Sequence, residues 1–324
     1  MKCVNFFNFI NFGSKKALED LMDKVEVRFR KPLTKLQKIS YFNNKLYFKL
    51  ENENSTGSFK DRVAGLILLK MNKLGYKKFF VNTSGNMGLA LTALSNKKKV
   101  FSYVLLDDPY YSNIGLLSNK SSFLEIRPNR ISFISRILSF FCAEIGVWDF
   151  WWFIYKKRFF QSFNDRGFFI AQPSIYINPD CILGYADISF EIFKQLGDMV
   201  PDYLITPVIN SDNAIGQWLG YYALFKYKFV NKIPHFILVE REKVYRHFNY
   251  PDAWQKIKRF SKISLIGVRE DEEFCARKYV SDNFGKNING VSAGCWAAYS
   301  KLCDRGFFRT DDVVVLVLSG SDKL

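Results

Sequence analysis

Lys60 is the side chain whose surroundings best fit chemistry, and it lies in Ser55-Thr56-Gly57-Ser58-Phe59-Lys60-Asp61-Arg62, a polar turn containing one glycine. Ser58 predicts an N-cap and Asp61 a capping box, so a helix is expected to open at Phe59 with Lys60 in its first turn. Val63, Leu66, Ile67 and Leu74 continue at helical spacing to Gly75, which suits a C-cap. Further on, Phe79-Phe80-Val81 reads as a short strand. It is followed by Asn82-Thr83-Ser84-Gly85-Asn86-Met87-Gly88 and an apolar helical stretch over 89–94. Strand, glycine loop and helix together form a ligand-binding shape. The glycines let backbone N–H groups approach an anion, and the helix start adds partial positive charge.

These motifs need a scaffold, and the chain supplies an alternating one. Strand-like runs occur at 46–50, 78–81, 100–106, 123–127, 203–208, 235–240, 263–268 and 313–318, with helix-length segments between most of them. Continuous apolar strands alternating with helices predict parallel α/β layers covered on both faces. An aromatic segment over 131–160, including Trp148, Trp151 and Trp152, divides two sets of such units, so two α/β domains with a ligand cleft are expected. Arg136, Glu144 and Asp149 interrupt that segment too often for a membrane span, so it reads as a buried or partner-facing helix pair, with an interfacial membrane helix as the alternative.

The lysine motif and the Ser-Gly-Asn loop, in this order, resemble the pyridoxal-phosphate enzymes of the tryptophan synthase β-subunit family. This family, also called fold type II, includes threonine synthase, cysteine synthase and the serine/threonine dehydratases. The resemblance runs with gaps from about Pro32 to the C-terminus. Lys31-Pro32-Leu33 resembles the family's entry motif, and Asn178-Pro179 with Gly184-Tyr185 and Glu191 resembles a threonine-synthase segment. The resemblance implies two three-layer α/β domains with mostly parallel sheets and the cofactor in the cleft between them. The smaller domain would span 40–160, and the larger 1–39 with 161–324.

The same resemblance implies roles. Lys60 corresponds to the lysine that binds pyridoxal 5'-phosphate covalently, a step that needs a neutral amine, as a helix start and a desolvated cleft both favour. Thr83, Ser84, Gly85, Asn86 and Met87 correspond to the loop that holds the substrate carboxylate, with Asn86 also bonding the cofactor's ring hydroxyl oxygen. Ser319 resembles the hydroxyl residue facing the pyridine nitrogen. The phosphate cup corresponds to 208–216, with Ser211, Asn213 and Gly216 as cofactor-binding candidates. There the sequence departs from the family, because Ile209 and Ser211 stand where glycines are expected and Asp212 brings a negative charge beside a dianion. A second departure is Val291-Ser292-Ala293-Gly294, read as a loop before a helix at 295–302, where an acidic residue and a proline are usual.

The function implied is an amino-acid lyase acting by elimination or replacement at the β or γ carbon, most like threonine synthase. The alternatives are cysteine-synthase-like β-replacement in a specialised amino-acid pathway and, from a different class, a non-catalytic binding or assembly partner. Hydrophobic residues make up 48% and charged residues 24% of the 324, a globular composition. The net charge of +16 is spread in short groups such as 97–99 and 156–158, so nucleic-acid binding is not indicated. Six cysteines without a CxxC pair and two histidines, His235 and His247, argue against a metal site or a hydrolase triad. No GxGxxG follows the first strand, which disfavours a nicotinamide enzyme. No cleavable leader is read at the start, so free thiols and a cytoplasmic location are expected. The expected partners are a small amino-acid substrate and a second copy in a homodimer, with no integral membrane association.

Overall fold

The computed structural model describes residues 34–41, 44–83, 85–95, 100–107, 124–129, 157–174, 177–208, 211–242 and 251–321. The chain forms two compact units, one made of Met1–Phe59 with Ile182–Leu324 and the other of Lys60–Cys181. In chain order the first unit begins with β1 (Leu36–Ile39) and β2 (Lys45–Lys49). The second contains α1 (Lys60–Lys73), β3 (Lys78–Thr83), α2 (Asn86–Ser95), β4 (Phe101–Asp107), β5 (Leu124–Asn129), α3 (Lys157–Asp165) and β6 (Phe169–Ile170). A 3-10 turn, Pro179–Tyr185, leads back to the first unit. That unit continues with α4 (Ala186–Gln195), β7 (Tyr203–Pro207), α5 (Asp212–Lys226), β8 (His235–Arg241) and α6 (Pro251–Ile257). It ends with β9 (Ile263–Val268), α7 (Glu270–Phe284), α8 (Gly290–Asp304) and β10 (Val313–Val317).

The Lys60–Cys181 unit is built on a parallel sheet in the order β5-β4-β3-β6. Its central strand β3 buries Phe79, Phe80 and Val81 completely, the continuous apolar run expected of a strand covered on both faces. Phe80 stacks on Phe163 of α3 with ring centroids 3.9 Å apart, and Leu105 and Phe160 complete that cluster. Phe160 is thus core. The aromatic residues 130–156, with Trp148, Trp151 and Trp152, lie outside the described residues. Helix α1 buries Val63, Ala64, Ile67, Leu68 and Met71, a stripe at helical spacing, and the chain turns at Gly75 with φ +80°. Its start differs from the expected one. Ser58 does not cap it, because Ser58 forms an antiparallel bridge with Gly320, and the helix begins at Lys60.

The other unit has a six-stranded sheet in the order β1-β2-β10-β7-β8-β9, antiparallel only between β1 and β2. Strand β2 pairs with β10, Leu46 opposite Val314, which ties residues 40–59 to this unit. Strand β6 pairs with β3, which ties 161–181 to the other. The units divide at Phe59/Lys60 and Cys181/Ile182. Those pairings join segments far apart in the chain, which no local pattern records. Strands β1 and β6 were also not legible, being four and two residues long. Residues 291–294 are helix and not loop, because Asn289 caps α8 with its Oδ1 accepting the Ser292 N–H at 2.9 Å. Among the described residues, no helix is long and apolar enough to cross a membrane.

Helix α5 carries two glycines four residues apart, one facing the 3-10 turn before α4 and the other facing α4 itself. A Cβ on Gly216 would lie 2.6 Å from both the Ile182 carbonyl oxygen and Tyr185 Cβ, and one on Gly220 would lie 2.7 Å from the Ala186 carbonyl oxygen. The backbones approach only because those side chains are missing. Gly216→Ala is expected to cost about 1–3 kcal/mol by overpacking, read as a lower urea midpoint. The control is Gly65→Ala in α1, where nothing lies within 4 Å of the added Cβ. That change should stabilise by about 0.5–1 kcal/mol through helix propensity. Equal midpoints for the two variants would remove the packing explanation for Gly216.

Candidate active site

The stretch before Lys60 is held by the end of the last strand. Phe59 donates its N–H to the Ser319 carbonyl at 3.0 Å, and Ser321 donates its N–H to the Gly57 carbonyl at 2.8 Å. Residues 57–59 therefore pair antiparallel with 319–321, and Lys60 is the next residue along. A Cβ on Gly57 would run into Ser321 Oγ, and its φ of +76° is one that glycine adopts without strain. Ser319 is buried, and its Oγ lies 3.1 Å from Ser292 Oγ. Ser58 Oγ is also buried and has no hydrogen-bond partner among the described residues. Lys60 itself is half-buried.

The glycine loop sits where β3 hands over to α2. Thr83 ends the strand and its Oγ1 accepts the Gly85 N–H at 3.1 Å, while Gly85 adopts φ +125° and accepts the Leu89 N–H. Asn86 opens α2 half-exposed, and Met87 is buried behind it. Thr83, Gly85, Asn86 and Met87 therefore line the carboxyl end of a central parallel strand and the start of a helix, a place suited to anions. Ser84 lies outside the described residues.

In the other unit, β7 leads to α5 through the expected phosphate loop. Ser211 adopts φ +62° and ψ −24°, so the backbone takes the left-handed turn that a glycine would take, despite its side chain. Its hydroxyl accepts a hydrogen bond from Trp254 Nε1 at 3.3 Å, a partner on α6 that nothing local in the sequence announces. That turn opens α5, and the helix start offers the backbone N–H groups that an anion needs. Asn213 donates its side-chain amide to the Pro207 carbonyl at 2.9 Å, which braces the loop. Gly216 faces Ile182 and Tyr185, so packing accounts for its missing side chain. Asp212 is buried, and the nearby Tyr185 hydroxyl is pushed well above its ordinary range by burial and secondarily by the Asp212 charge. Ile209 lies outside the described residues. Strands β7 and β10 are adjacent and parallel, so Ser211 and Ser319 leave the same carboxyl edge of the sheet.

One site residue was missed from the sequence, and one histidine stands where it was expected. Ser292 belongs to the buried hydroxyl pair at Ser319, although its segment reads as loop. His235, read as a strand-edge or core residue, is half-buried at the start of β8 with a ring nitrogen 2.9 Å from Ser264 Oγ. Its pKa is lowered by burial and then by the Lys262 charge, which suits a structural imidazole. His247 lies outside the described residues. Burial pushes the Cys181 thiol up to about 12, which makes it a poor nucleophile.

Comparison with known proteins agrees with this arrangement. Residues 26–111 and 156–320 match the sequence profile of the family described as pyridoxal-phosphate dependent enzyme. The threonine synthase of Methanocaldococcus jannaschii is 24% identical over 310 residues, which cover 85% of this chain and 69% of that protein. Among solved structures, a pyridoxal 5'-phosphate-dependent aspartate racemase superposes with a TM-score of 0.69 at 18% identity, covering 93% of this chain and 94% of its own. The serine racemase of Dictyostelium discoideum superposes with a TM-score of 0.68 at 20% identity, covering 93% and 97%. These likenesses are of fold, and they match the fold type II architecture read from the motifs. The matched profile spans well over half of the chain, which therefore belongs to the family of pyridoxal-phosphate dependent enzymes.

Proposed function

We propose that this enzyme is an amino-acid lyase working by elimination or replacement at the β or γ carbon, most like threonine synthase. The observation that carries the reading is the pairing of 57–59 with 319–321. The bond from the Phe59 N–H to the Ser319 carbonyl fixes the residue before Lys60 to the strand end that bears a buried neutral hydroxyl. Bound pyridoxal phosphate supplies an aldehyde that captures an amine and a conjugated ring that accepts electrons from the substrate Cα. The residues present suit it: Lys60, Asn86, Ser211, Asn213 and Ser319 would hold it, and the left-handed turn at Ser211 supports a phosphate at the start of α5. Lys60 provides the amine and, once released, holds the Cα proton at Nζ. Thr83, Ser84, Gly85 and Met87 orient the substrate carboxylate with Asn86. Ser319 offers the ring nitrogen a hydroxyl in place of a carboxylate, which favours elimination and replacement over reactions that need a strong electron sink.

The 24% identity to threonine synthases supports phosphohomoserine as the substrate, with γ-elimination followed by addition of water. The loop Thr83-Ser84-Gly85-Asn86-Met87-Gly88 supports the second reading, β-replacement of the cysteine-synthase type on an activated serine. A cytoplasmic homodimer belongs to either reading through the resemblance alone. The test is product analysis on cofactor-loaded protein. Phosphohomoserine should yield inorganic phosphate and threonine in equal amounts. Acetate release from O-acetylserine with uptake of sulfide, and no phosphate, would select the second reading. No product from either would sink both and leave a non-catalytic partner.

A further inference from the structure

Ser319 has a hydroxyl partner, and the geometry around that partner leaves few choices. Ser292 is fully buried in the first turn of α8. Its Oγ accepts the Gly320 N–H at 2.9 Å and lies 3.1 Å from both the Gly320 carbonyl oxygen and Ser319 Oγ. The amide can only donate, so one lone pair of Ser292 Oγ is committed. The Gly320 carbonyl already receives the Asn289 N–H at 3.0 Å, and Asn289 in turn caps the Ser292 N–H. A Cβ on Gly320 would sit 2.7 Å from Asn289 Nδ2, so this close approach requires the glycine.

The helix start is locked from its other side as well. A Cβ on Gly290 would lie 3.0 Å from Glu273 Oε2, and one on Gly294 would lie 3.6 Å from Glu273 Oε1. The buried Glu273 carboxylate, held by Arg241 Nε at 3.0 Å, fills the space left at Gly290 and lies in van der Waals contact with the space at Gly294, which Val239 also borders. Ser292 therefore has little freedom to move relative to Ser319.

A single proton on Ser292 has two acceptors, Gly320 O and Ser319 Oγ. If it goes to Gly320 O, the second lone pair of Ser292 Oγ stays open and draws the Ser319 proton inward. A Ser319 that donates there turns only lone pairs outward, which cannot bond a nitrogen that is itself an acceptor. If it goes to Ser319 Oγ, the Ser319 proton is free to point outward as a donor. We propose that Ser292 is the positioning residue that turns the Ser319 hydroxyl into a donor toward the ring nitrogen of the cofactor. The relay runs from the Gly320 N–H through Ser292 and Ser319, and each bond in such a chain polarises the next. This inference rests on the role given to Ser319 above.

The experiment reads the ring nitrogen directly, by NMR of protein loaded with cofactor labelled with 15N in the pyridine ring. In the wild type the resonance should be displaced from that of free cofactor in the direction of a hydrogen-bonded, unprotonated pyridine. Ser292→Ala should move it toward the value seen in Ser319→Ala and weaken cofactor binding about tenfold, the effect of one lost hydrogen bond. Ser292→Thr, which keeps the hydroxyl, should restore the wild-type resonance. Ser292→Cys keeps the volume with a weak donor and should behave as Ser292→Ala does, which covers the case where the alanine variant fails to fold. In the Ser319→Ala background, Ser292→Ala should add nothing. A wild-type resonance in folded Ser292→Ala or Ser292→Cys overturns the relay and leaves the proposed function standing. A wild-type protein whose cofactor resonance equals that of free cofactor overturns the role of Ser319, and the relay with it.

Discussion

Lys60→Ala should lose turnover by about a thousandfold or more while unfolding at nearly the wild-type denaturant concentration, because a positioned acid-base group contributes roughly 10²–10⁴ and covalent capture is lost as well. The fold should tolerate the change. Lys60 is half-buried at the first position of α1, where alanine is a good helix former, and substitutions at such sites usually stay within about 0.5 kcal/mol. The pairing that places it uses backbone groups of Gly57, Phe59, Ser319 and Ser321, all of which survive the substitution. The measurement combines turnover, the visible spectrum with added cofactor, and borohydride reduction followed by peptide mapping. A band present in the wild type and absent in the variant, with the reduced adduct on Lys60, is the expected result. An adduct mapped to another lysine, or turnover within tenfold of the wild type, would take the catalytic role away from Lys60. Lys60→Arg should fail equally, since a guanidinium stays charged and offers no free amine.

The second large effect is one of stability and starts at a lysine with no exposed surface. Lys49 Nζ donates to Glu191 Oε2 at 2.5 Å, to the Thr34 carbonyl at 2.9 Å and to Gln195 Oε1 at 3.0 Å. Its side chain is 0% exposed and that of Glu191 is 5% exposed. The adjoining Glu51 carboxylate accepts from Thr34 Oγ1 at 2.7 Å and from Asn54 Nδ2 at 2.9 Å, and the Asn54 carbonyl accepts the Gly57 N–H at 2.7 Å. Removing the cation takes the charge at 2.5 Å away from a buried carboxylate. Lys49→Met is therefore expected to destabilise by about 3–5 kcal/mol, a large part of a typical domain's total stability. Lys49→Met with Glu191→Leu should recover most of that loss, because both charges are then gone. Urea midpoints at unchanged slope decide the matter. If the double variant is no more stable than the single one, the cost lies in shape and not in the stranded charge. The chain of bonds from Glu51 through Asn54 to Gly57 also predicts that cofactor affinity falls with stability in the single variant.

Much of the architecture was open to a reading of the sequence, since the parallel strands buried on both faces are continuous apolar runs and helix α1 repeats its apolar residues at helical spacing. Strands expected at 203–208, 235–240 and 263–268 are observed as Tyr203–Pro207, His235–Arg241 and Ile263–Val268. These are local signals that survive folding because they are statements about which faces are buried. The roles proposed for Lys60 and for the loop over Thr83 to Met87 rest on local signals of the same kind, since each is carried by a short stretch of chain.

What only the tertiary structure decided are relations between distant residues. Ser58 looks like a helix cap in the sequence, but a bridge to Gly320, far along the chain, takes it out of that role. Strand β2 joins β10, and this pairing sets the division between the units. Ser211 keeps a glycine-like backbone conformation and directs its hydroxyl to Trp254. Glu273 lies against the start of α8 at Gly290 and Gly294, a neighbour that the sequence around 291–294 does not announce. Ser292 meets Ser319 across a long separation in sequence. Local pattern specifies which elements form and which chemistry each can carry. Which two of those chemistries meet is set by long-range strand pairing and close packing, whose contacts have no fixed spacing along the chain.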